Sequence, residues 1–496
     1  MSAVPANLER RALSLGTANA VDFALQFLLP IVLTRTLDAH AFGEYRLLWL
    51  AIATLMIVTP MCMAPALYYF LPRSDRPTQR LYINQTLLFL VGAGIVSAWA
   101  LSSLNPWLPG KLDGISEAHG VIVPLFALLW VFASALDVIP TAEERVGWQA
   151  RAIMSLAALR AVGLSAVAIW TRELGPVLVA LAVFAGIKAG LLIWYVGRHH
   201  GFGGPVARRE TFTAQVHQAA PFALSGALHG LRAQGDQWIA AAVFTVTQFA
   251  SFSVAAVLAP IVQIFRQSVN NVFLPSMSRL QSSGDVAGML ALNSRANCMV
   301  ALLAYPLLGF AFVFAEDVVA LVYTRTYIDA VPVLRLYVVG LLVFVVELVS
   351  VLFVLKQGAF AARVNAIVLA IALPISYLGA VEIGLVGAAA GSVVALYVER
   401  VISLGRISRL THTPVARLQD WPTLAGLAGA AALAAAVAGG ALHWSEWTSF
   451  SRLVAGGLIM AAFYPVALRA TGQWSELVEF IGALRGRREG QGNRKD

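Results

Sequence analysis

The sequence predicts an all-α integral membrane protein with about fourteen transmembrane helices. Of its 496 residues, 59% are apolar and only 12% are charged, and the mean hydropathy is +0.75. A soluble protein carries about 25% charged residues, so this chain lacks much of the surface that would face water. Its apolar residues are also grouped in runs of about 20 residues, the length that crosses a bilayer as a helix.

The apolar runs place the spans in chain order. Arg10 and Arg11 precede the first run, which is too long for the apolar region of a signal peptide, so we expect this span to be retained. An amphipathic stretch from about residue 238 leads into the eighth span. The predicted spans are residues 13–34, 47–71, 82–103, 120–140, 151–170, 174–196, 214–235, 252–273, 296–316, 335–355, 363–381, 385–404, 421–442 and 450–470.

The basic residues predict the orientation. With this span count, roughly two thirds of the 35 Lys and Arg residues lie on the side that holds both termini. We therefore expect a multi-pass protein of the cell inner membrane with both termini in the cytoplasm. The net charge of +9 comes from cations in short loops, which suits anionic lipid and not nucleic acid, since a nucleic-acid site would cluster cations with exposed aromatic residues.

Several classes of site are not expected. Cys62 and Cys298 both lie in apolar runs, which argues against a disulfide framework or a cysteine metal site. The sequence contains no zinc-protease, P-loop or nucleophile-elbow motif. No loop exceeds about 25 residues, so there is no separate domain to hold an enzyme site. We expect no catalysis, no cofactor and no metal.

Two segments predict an internal repeat. Residues 42–73 contain Phe-Gly-Glu-Tyr, an apolar span and Phe-Leu-Pro-Arg, and residues 249–279 contain Phe-Ala-Ser-Phe, a span, Phe-Leu-Pro and then Arg279. Both fall at the second span of a six-span block, and an even span number makes the blocks parallel. The predicted domains are a six-helix lobe over 1–203, a second over 204–412, and two further spans with a basic tail over 413–496.

Polar residues within spans indicate functional positions, because charges at membrane depth are costly and normally face a bundle interior or a cavity. The eighth span carries a stripe with helical spacing, Gln263, Arg266, Gln267 and Asn270, with Asn271 beside it. The stripe favours a hydrophilic pathway, although hydrogen bonding between helices is the alternative. Stripes with related spacing occur in the first span (Asn19, Asp22, Gln26) and the seventh (His229, Arg232, Asp236).

Other charged residues leave alternatives open. Arg232 and Asp236 could simply pair on one helix near the outer surface. Lys188, in the sixth span, could extend toward the cytoplasm, whereas Arg160 lies near mid-span and is expected to face inward. The acids Asp22, Asp137 and Glu347 could each neutralise a buried cation, or take up an ion or proton during transport. These three acids remain candidates for both roles.

The order of motifs over residues 10–410 resembles the Wzx-type polysaccharide flippases of the multidrug/oligosaccharidyl-lipid/polysaccharide exporter superfamily. The resemblance is carried by Arg35-Thr-Leu-Asp, where Asp38 replaces the usual Gly, and by Phe42-Gly-Glu-Tyr. Further along, it is carried by Pro221, Asp236, Phe249-Ala-Ser-Phe, Leu274-Pro-Ser-Met-Ser-Arg279, Tyr327 to Leu336 and Gly384-Leu-Val-Gly-Ala.

This resemblance implies two six-helix lobes forming a V-shaped cationic cavity that works by alternating access, plus two C-terminal helices similar to those forming a lipid-tail groove in peptidoglycan-precursor flippases. The implied substrate is an oligosaccharide linked through diphosphate to undecaprenol. Membrane lipids surround a monomer, and a polysaccharide polymerase and co-polymerase are candidate partners.

The flippase function implied by the resemblance assigns a role to each group of polar residues within the spans. Arg and Lys suit a diphosphate, amides suit sugars, and acids suit coupling to an ion or proton. The predicted sites are diphosphate binding by Arg266, Lys188, Arg160 and Arg232; sugar contacts by Asn19, Gln26, Gln263, Gln267, Asn270 and Asn271; and coupling by Asp22, Glu347 and Asp137.

Two rival functions remain. A drug/cation antiporter of the same superfamily would favour an acidic cavity, but buried cations here match or exceed buried acids. A polytopic polysaccharide polymerase or glycosyltransferase would need a large outer loop rich in Arg or carboxylates, and the first outer loop offers only Asp38 and Glu44.

Overall fold

The structure, a computed structural model, describes residues 6–201 and 203–478, apart from the side chains of residues 6–14 and 271. Across these residues every regular element is helical and no strand is present. An all-helical fold follows from the composition, because a helix satisfies its own backbone hydrogen bonds where lipid offers none.

Twenty α-helices follow one another in the described chain. The first ten are α1 Ala6–Thr36, α2 Ala39–Val58, α3 Met63–Phe70, α4 Arg76–Ala100, α5 Gly110–His119, α6 Ile122–Ala133, α7 Ile139–Ala142, α8 Val146–Thr171, α9 Leu174–His199 and α10 Arg209–Val243. The rest are α11 Val246–Ala255, α12 Leu258–Ser282, α13 Val286–Val313, α14 Ala315–Val322, α15 Ala330–Phe344, α16 Val349–Val354, α17 Gly358–Ile383, α18 Leu385–Thr411, α19 Trp421–Leu442 and α20 Ser449–Ala470.

In the described chain, twelve segments are long and apolar enough to cross a membrane, so the protein is a multi-pass membrane protein. They account for every predicted span except the seventh and the tenth. The seventh corresponds to α10, whose 35 residues are interrupted by polar side chains. The tenth corresponds to α15, which has only 15 residues. The count of fourteen is therefore not confirmed and stays a prediction.

Several spans expected to be continuous are broken. In the second, α2 ends before Pro60, and α3 starts after Cys62, whose φ is +53°. In the fourth, a 3₁₀ turn over Ser134–Asp137 separates α6 from α7. The eighth consists of α11 and α12, and the tenth of α15 and α16. Irregular backbone at membrane depth is stable only where protein buries it or water reaches it.

The helices form two compact units. Among the described residues, unit 1 contains the chain up to Gln234 plus Thr245–Ala250, and unit 2 contains Gly235–Phe244 and the chain from Ser251 onward. This division falls within α10, and the predicted domain boundaries at 203 and 412 stay a prediction. In unit 1, α8 packs on both α1 and α9, and in unit 2, α18 packs on both α15 and α17.

One order of elements occurs in both units. In unit 1, broken helix α6–α7 leads through left-handed Glu144 into α8, which has 26 residues and is followed by left-handed Arg172. In unit 2, broken helix α15–α16 leads through left-handed Lys356 into α17, which also has 26 residues and is followed by Gly384, with φ +84°. This recurrence is what an internal repeat produces.

Glycines bring α17 and α18 together in unit 2. A Cβ on Gly387 would collide with the backbone of Gly379, and one on Gly391 would collide with the carbonyl oxygen of Ala372. Small residues of this kind let helix backbones approach closely in membranes. The glycines near the start of α18 therefore serve close packing against α17.

Candidate transport site

In unit 1, the mid-span cation Arg160 on α8 meets the polar face of α1. Its Nη2 donates to Oδ1 of Asp22 at 3.0 Å. Gln26, one turn further along α1, donates from Nε2 to the other carboxylate oxygen at 2.6 Å. The spacing of Asp22 and Gln26 puts both on one helical face, so three predicted site residues form one cluster.

A second cation–acid pair lies at the break in the fourth span. Nζ of Lys188 on α9 is 2.8 Å from Oδ2 of Asp137, which ends the 3₁₀ turn. The same ammonium lies 5.3 Å from the centre of the Trp130 ring. The Lys188 side chain is only 12% exposed, so it is largely buried against these partners.

In unit 2, Arg266 on α12 binds the free end of a broken helix. Its Nη1 donates to the carbonyl oxygen of Phe344 at 3.0 Å, and its guanidinium lies 3.9 Å from the centre of that residue's ring. Phe344 ends α15, so its carbonyl lacks a partner within the helix and carries the negative end of the helix dipole. The sequence predicts that Arg266 binds diphosphate; the structure adds the end of α15 as a partner of this side chain.

The break between α15 and α16 holds Glu347, which is 5% exposed. Its backbone N–H donates to Oδ1 of Asn297 at 3.0 Å, and its carbonyl accepts from Nδ2 of Asn293 and of Asn297 at 3.2 and 3.3 Å. Both carboxylate oxygens lie 3.2 Å from the N–H of Ser350, in α16. Nδ2 of Asn297 also donates to Oε1 of Gln419 at 2.9 Å. Side chains thus replace the helical hydrogen bonds lost at the break.

The remaining predicted sugar-binding residues that the structure describes are polar side chains without a hydrogen-bond partner. In the described part of the chain, no hydrogen-bond partner is found for the side chains of Asn19, Gln263, Gln267 and Asn270. Asn19 and Gln267 are exposed, and Gln263 and Asn270 are half-buried. The side chain of Asn271, also a predicted sugar contact, lies outside the described residues. Free amides at membrane depth suit a water-lined path better than interhelical packing.

The seventh-span residues differ from expectation in one respect. Helix α10 continues to Val243, so Asp236 lies inside the helix and not near its end. Asp236 is 6% exposed and accepts a 2.7 Å hydrogen bond from the hydroxyl of Tyr337 on α15. Arg232 is half-buried on α10. Its predicted role in diphosphate binding stays a prediction.

Comparison with known proteins places these residues in a family. A family model described as polysaccharide biosynthesis protein matches residues 32–332, more than half of the 496-residue chain. The chain belongs to this family. The matched segment contains Arg160, Lys188 and Arg266, whereas Asp22 and Glu347 lie outside it. No match was found among curated protein sequences.

Solved structures show the same fold. The inward closed conformation of the lipid II flippase MurJ matches with a TM-score of 0.67 at 11% identity, covering 92% of this chain and 99% of that one. An inward-facing MATE multidrug resistance transporter matches with a TM-score of 0.62 at 14% identity, covering 79% and 96%. A superfamily transporter from Pyrococcus furiosus, described as having reversed polarity of its binding pocket, matches with a TM-score of 0.53 at 16% identity, covering 81% and 95%.

Family model and fold comparison agree on two points: the chain is a member of the polysaccharide biosynthesis protein family, and it has the fold of the lipid II flippase and multidrug transporter structures that it matches. The low identities carry the fold alone, so the residue roles come from this family member's own geometry.

Sequence reasoning missed one charged cluster. Glu143, just after α7, accepts from the Tyr195 hydroxyl at 2.6 Å and contacts Nε2 of His200. Burial opposes ionisation of Glu143, but the hydrogen bonds from His200 and Tyr195 outweigh it and hold the pKa of this carboxyl below its ordinary value. The cluster ties the end of the broken fourth span to α9. Its residues lie far apart in sequence at loop boundaries, where no pattern signals them.

Proposed function

We propose that this protein moves an undecaprenyl-diphosphate-linked oligosaccharide from the cytoplasmic to the periplasmic leaflet of the inner membrane. The observation that supports this most directly is the pairing of Arg160 with Asp22 and of Lys188 with Asp137, at 3.0 and 2.8 Å. Diphosphate oxygens accept charge-assisted hydrogen bonds as carboxylates do, so an incoming diphosphate competes for the same donors. Exchangeable pairs of this kind let a transporter both bind and release its cargo.

The same pairs link binding to coupling. Asp22 and Asp137 were predicted to take up an ion or proton, and each holds one predicted diphosphate ligand. A proton or cation on the carboxylate weakens its hold on the Arg or Lys and frees that side chain for the substrate. Alternating access is driven by a difference in substrate affinity between two conformational states. Each pair supplies such a difference, because its cation binds the carboxylate in one state and the diphosphate in the other.

Amide side chains without a partner in the described chain are available to bind the sugar part of the cargo. Gln263, Gln267 and Asn270 lie on one face of α12, and each amide offers both a donor and an acceptor to sugar hydroxyls. A cationic drug would gain little from these residues and would be repelled by Arg160 and Lys188. The antiporter alternative is therefore the less favoured.

The test uses the purified chain in proteoliposomes. The cargo is an undecaprenyl-diphosphate disaccharide, and its transfer between leaflets is followed by accessibility to an added glycosidase. Arg160→Gln with Lys188→Gln should slow transfer about tenfold or more, because both charge-assisted contacts are lost. Arg172→Gln, exposed at the end of α8, is the matched control and should transfer at the wild-type rate.

The outcomes separate the candidate functions. Transfer of the lipid-linked disaccharide, with no uptake of ethidium, supports the proposal. Ethidium uptake driven by a proton gradient, without lipid transfer, would assign an antiporter. Equal transfer rates for wild type and the double variant would remove the two pairs from the binding site.

A further inference from the structure

An apolar groove of about 700 Å³ lies between α8 and α9 in unit 1. Leu159 to Val167 line it on α8, and Pro176 to Ile187 line it on α9. All the lining residues lie in the described part of the chain, and Arg160 alone among them is polar. The groove is thus an apolar channel along the helices that meets one cation.

The groove is open and is not a closed packing defect. No atom lies within 4 Å of the position that a Cβ on Gly163 would occupy, so the centre of the α8 wall is empty. On the α9 wall, Val183 is 57% exposed and Ile187 is 45% exposed. Apolar walls with a missing side chain stay free of water, and in a membrane they are filled by hydrocarbon.

One end of the groove carries positive charge at mid-depth. Arg160 lines the groove itself, and Lys188 directly follows the lining residue Ile187. Arg160 lies about 21 Å along α8 from Val146, at 1.5 Å per residue, in a helix of 26 residues. The phosphate of a resting phospholipid lies at the bilayer surface, about 15 Å from the midplane, so it does not reach these cations.

We infer that this groove binds the isoprenoid chain of the substrate, with the chain along α8 and α9 and its diphosphate at Arg160 and Lys188. This inference rests on the proposed function. Only a lipid whose anionic head crosses the membrane brings its charge to mid-depth, which distinguishes the cargo from surrounding phospholipid. Because hydrocarbon surrounds the protein anyway, the groove contributes orientation through packing and not through removal of water.

A photoreactive lipid tests this placement. Wild-type protein in nanodiscs of phosphatidylglycerol and phosphatidylethanolamine is irradiated with undecaprenyl diphosphate that carries a diazirine on its chain. Labelled peptides should come from α8 and α9, and an excess of unlabelled undecaprenyl diphosphate should remove the label. Labelling that resists this competition, because nanodisc phospholipid and probe occupy the groove alike, would overturn the inference. So would labelling confined to α19 and α20.

Gly163→Leu fills the groove without a clash, and Gly92→Leu is its control. Gly92 lies in α4, outside the groove, and also has no atom within 4 Å of its Cβ position. Gly163→Leu should lower both specific labelling and lipid transfer about fivefold by occupying the packing space of the chain, and Gly92→Leu should change neither. If the wild type transfers lipid, and Gly163→Leu is labelled and transfers lipid as well as the wild type does, the groove is not the binding site of the isoprenoid chain. The proposed function would still stand in that case. Absence of transfer by the wild type would instead refute the function.

Discussion

The mid-span cations of unit 1 are less exposed than the acids that hold them. The Arg160 and Asp22 side chains are 13% and 29% exposed, and those of Lys188 and Asp137 are 12% and 53% exposed. In each pair the carboxylate is therefore the more accessible partner. In the proposed coupling role of Asp22 and Asp137, an ion or proton would reach the more exposed acid before the cation behind it.

A charge swap distinguishes a structural pair from a transport site. Asp22→Arg and Arg160→Asp should each lower export and protein level, because each leaves like charges facing one another at membrane depth. The double swap should restore protein level but leave export at about one tenth, since the guanidinium then starts from α1 and points the other way. The measurement is surface polysaccharide per unit of protein in a flippase-deficient strain. Full recovery of export by the swap would mean that the pair is only structural.

Arg266 calls for a different test because its partner is a backbone carbonyl. Arg266→Ala and Arg266→Lys should both reduce export, with Lys retaining more, since it keeps the charge but loses the planar fork. Membrane insertion should remain near normal, because removing a cation from a span favours insertion. Export and protein level in the same strain are the readouts.

The control for Arg266 is Arg279→Ala, an exposed cation on the same helix, which should behave as wild type. Full export by a well-expressed Arg266→Ala would exclude Arg266 from the site. An Arg266→Ala protein that is absent from the membrane would instead show that capping α15 is its main role.

At the scale of elements, the broken helices decide where the acids lie. Asp137 ends the 3₁₀ turn between α6 and α7, and Glu347 lies between α15 and α16. Each acid therefore occupies the break in the fourth span of its six-span block. The breaks free backbone groups that helices would otherwise bond, and in unit 2 Asn297 and Arg266 bind them.

Close packing of α17 on α18 supports the broken tenth span, since α15 packs on α18 as well. Gly387→Val should lower the melting temperature of the purified protein by several degrees, because the side chain would collide with the backbone of Gly379 and force the helices apart. Gly405→Val on the same helix is the control, since nothing lies within 4 Å of its Cβ position. The two variants are compared by thermal unfolding in detergent. Equal melting temperatures would show that this contact does not hold the helices together.

At the scale of the whole molecule, the cation distribution predicts orientation. A cysteine placed at residue 204 should be labelled only from the cytoplasm, and one at residue 113 only from the periplasm. Cys62 and Cys298 are free thiols, so both are first replaced by Ser and Ala, and activity of that background is the control. Outer labelling of residue 204 would overturn the fourteen-span topology together with the assignment of both termini.

Whole-chain similarity and local geometry answer different questions about this protein. The match to MurJ covers 92% of this chain at 11% identity, which carries the order of helices but not the identity of the cargo. Under the proposed function, the choice of cargo would depend on the few charged and amide side chains within the spans. The transfer assay with lipid-linked disaccharide and ethidium is therefore the experiment that decides between relatives of one fold.

The sequence by itself determined the membrane class, the positions of most spans, the family resemblance and the identity of the charged residues within spans. These properties are local, because an apolar run and a charge within it are read along the chain. Only the tertiary structure decided that Arg160 faces Asp22, that Lys188 faces Asp137 and that Arg266 binds the end of α15. Each contact joins helices far apart in sequence, and it depends on which helical faces meet and where a helix breaks, which the periodicity of a single span does not contain.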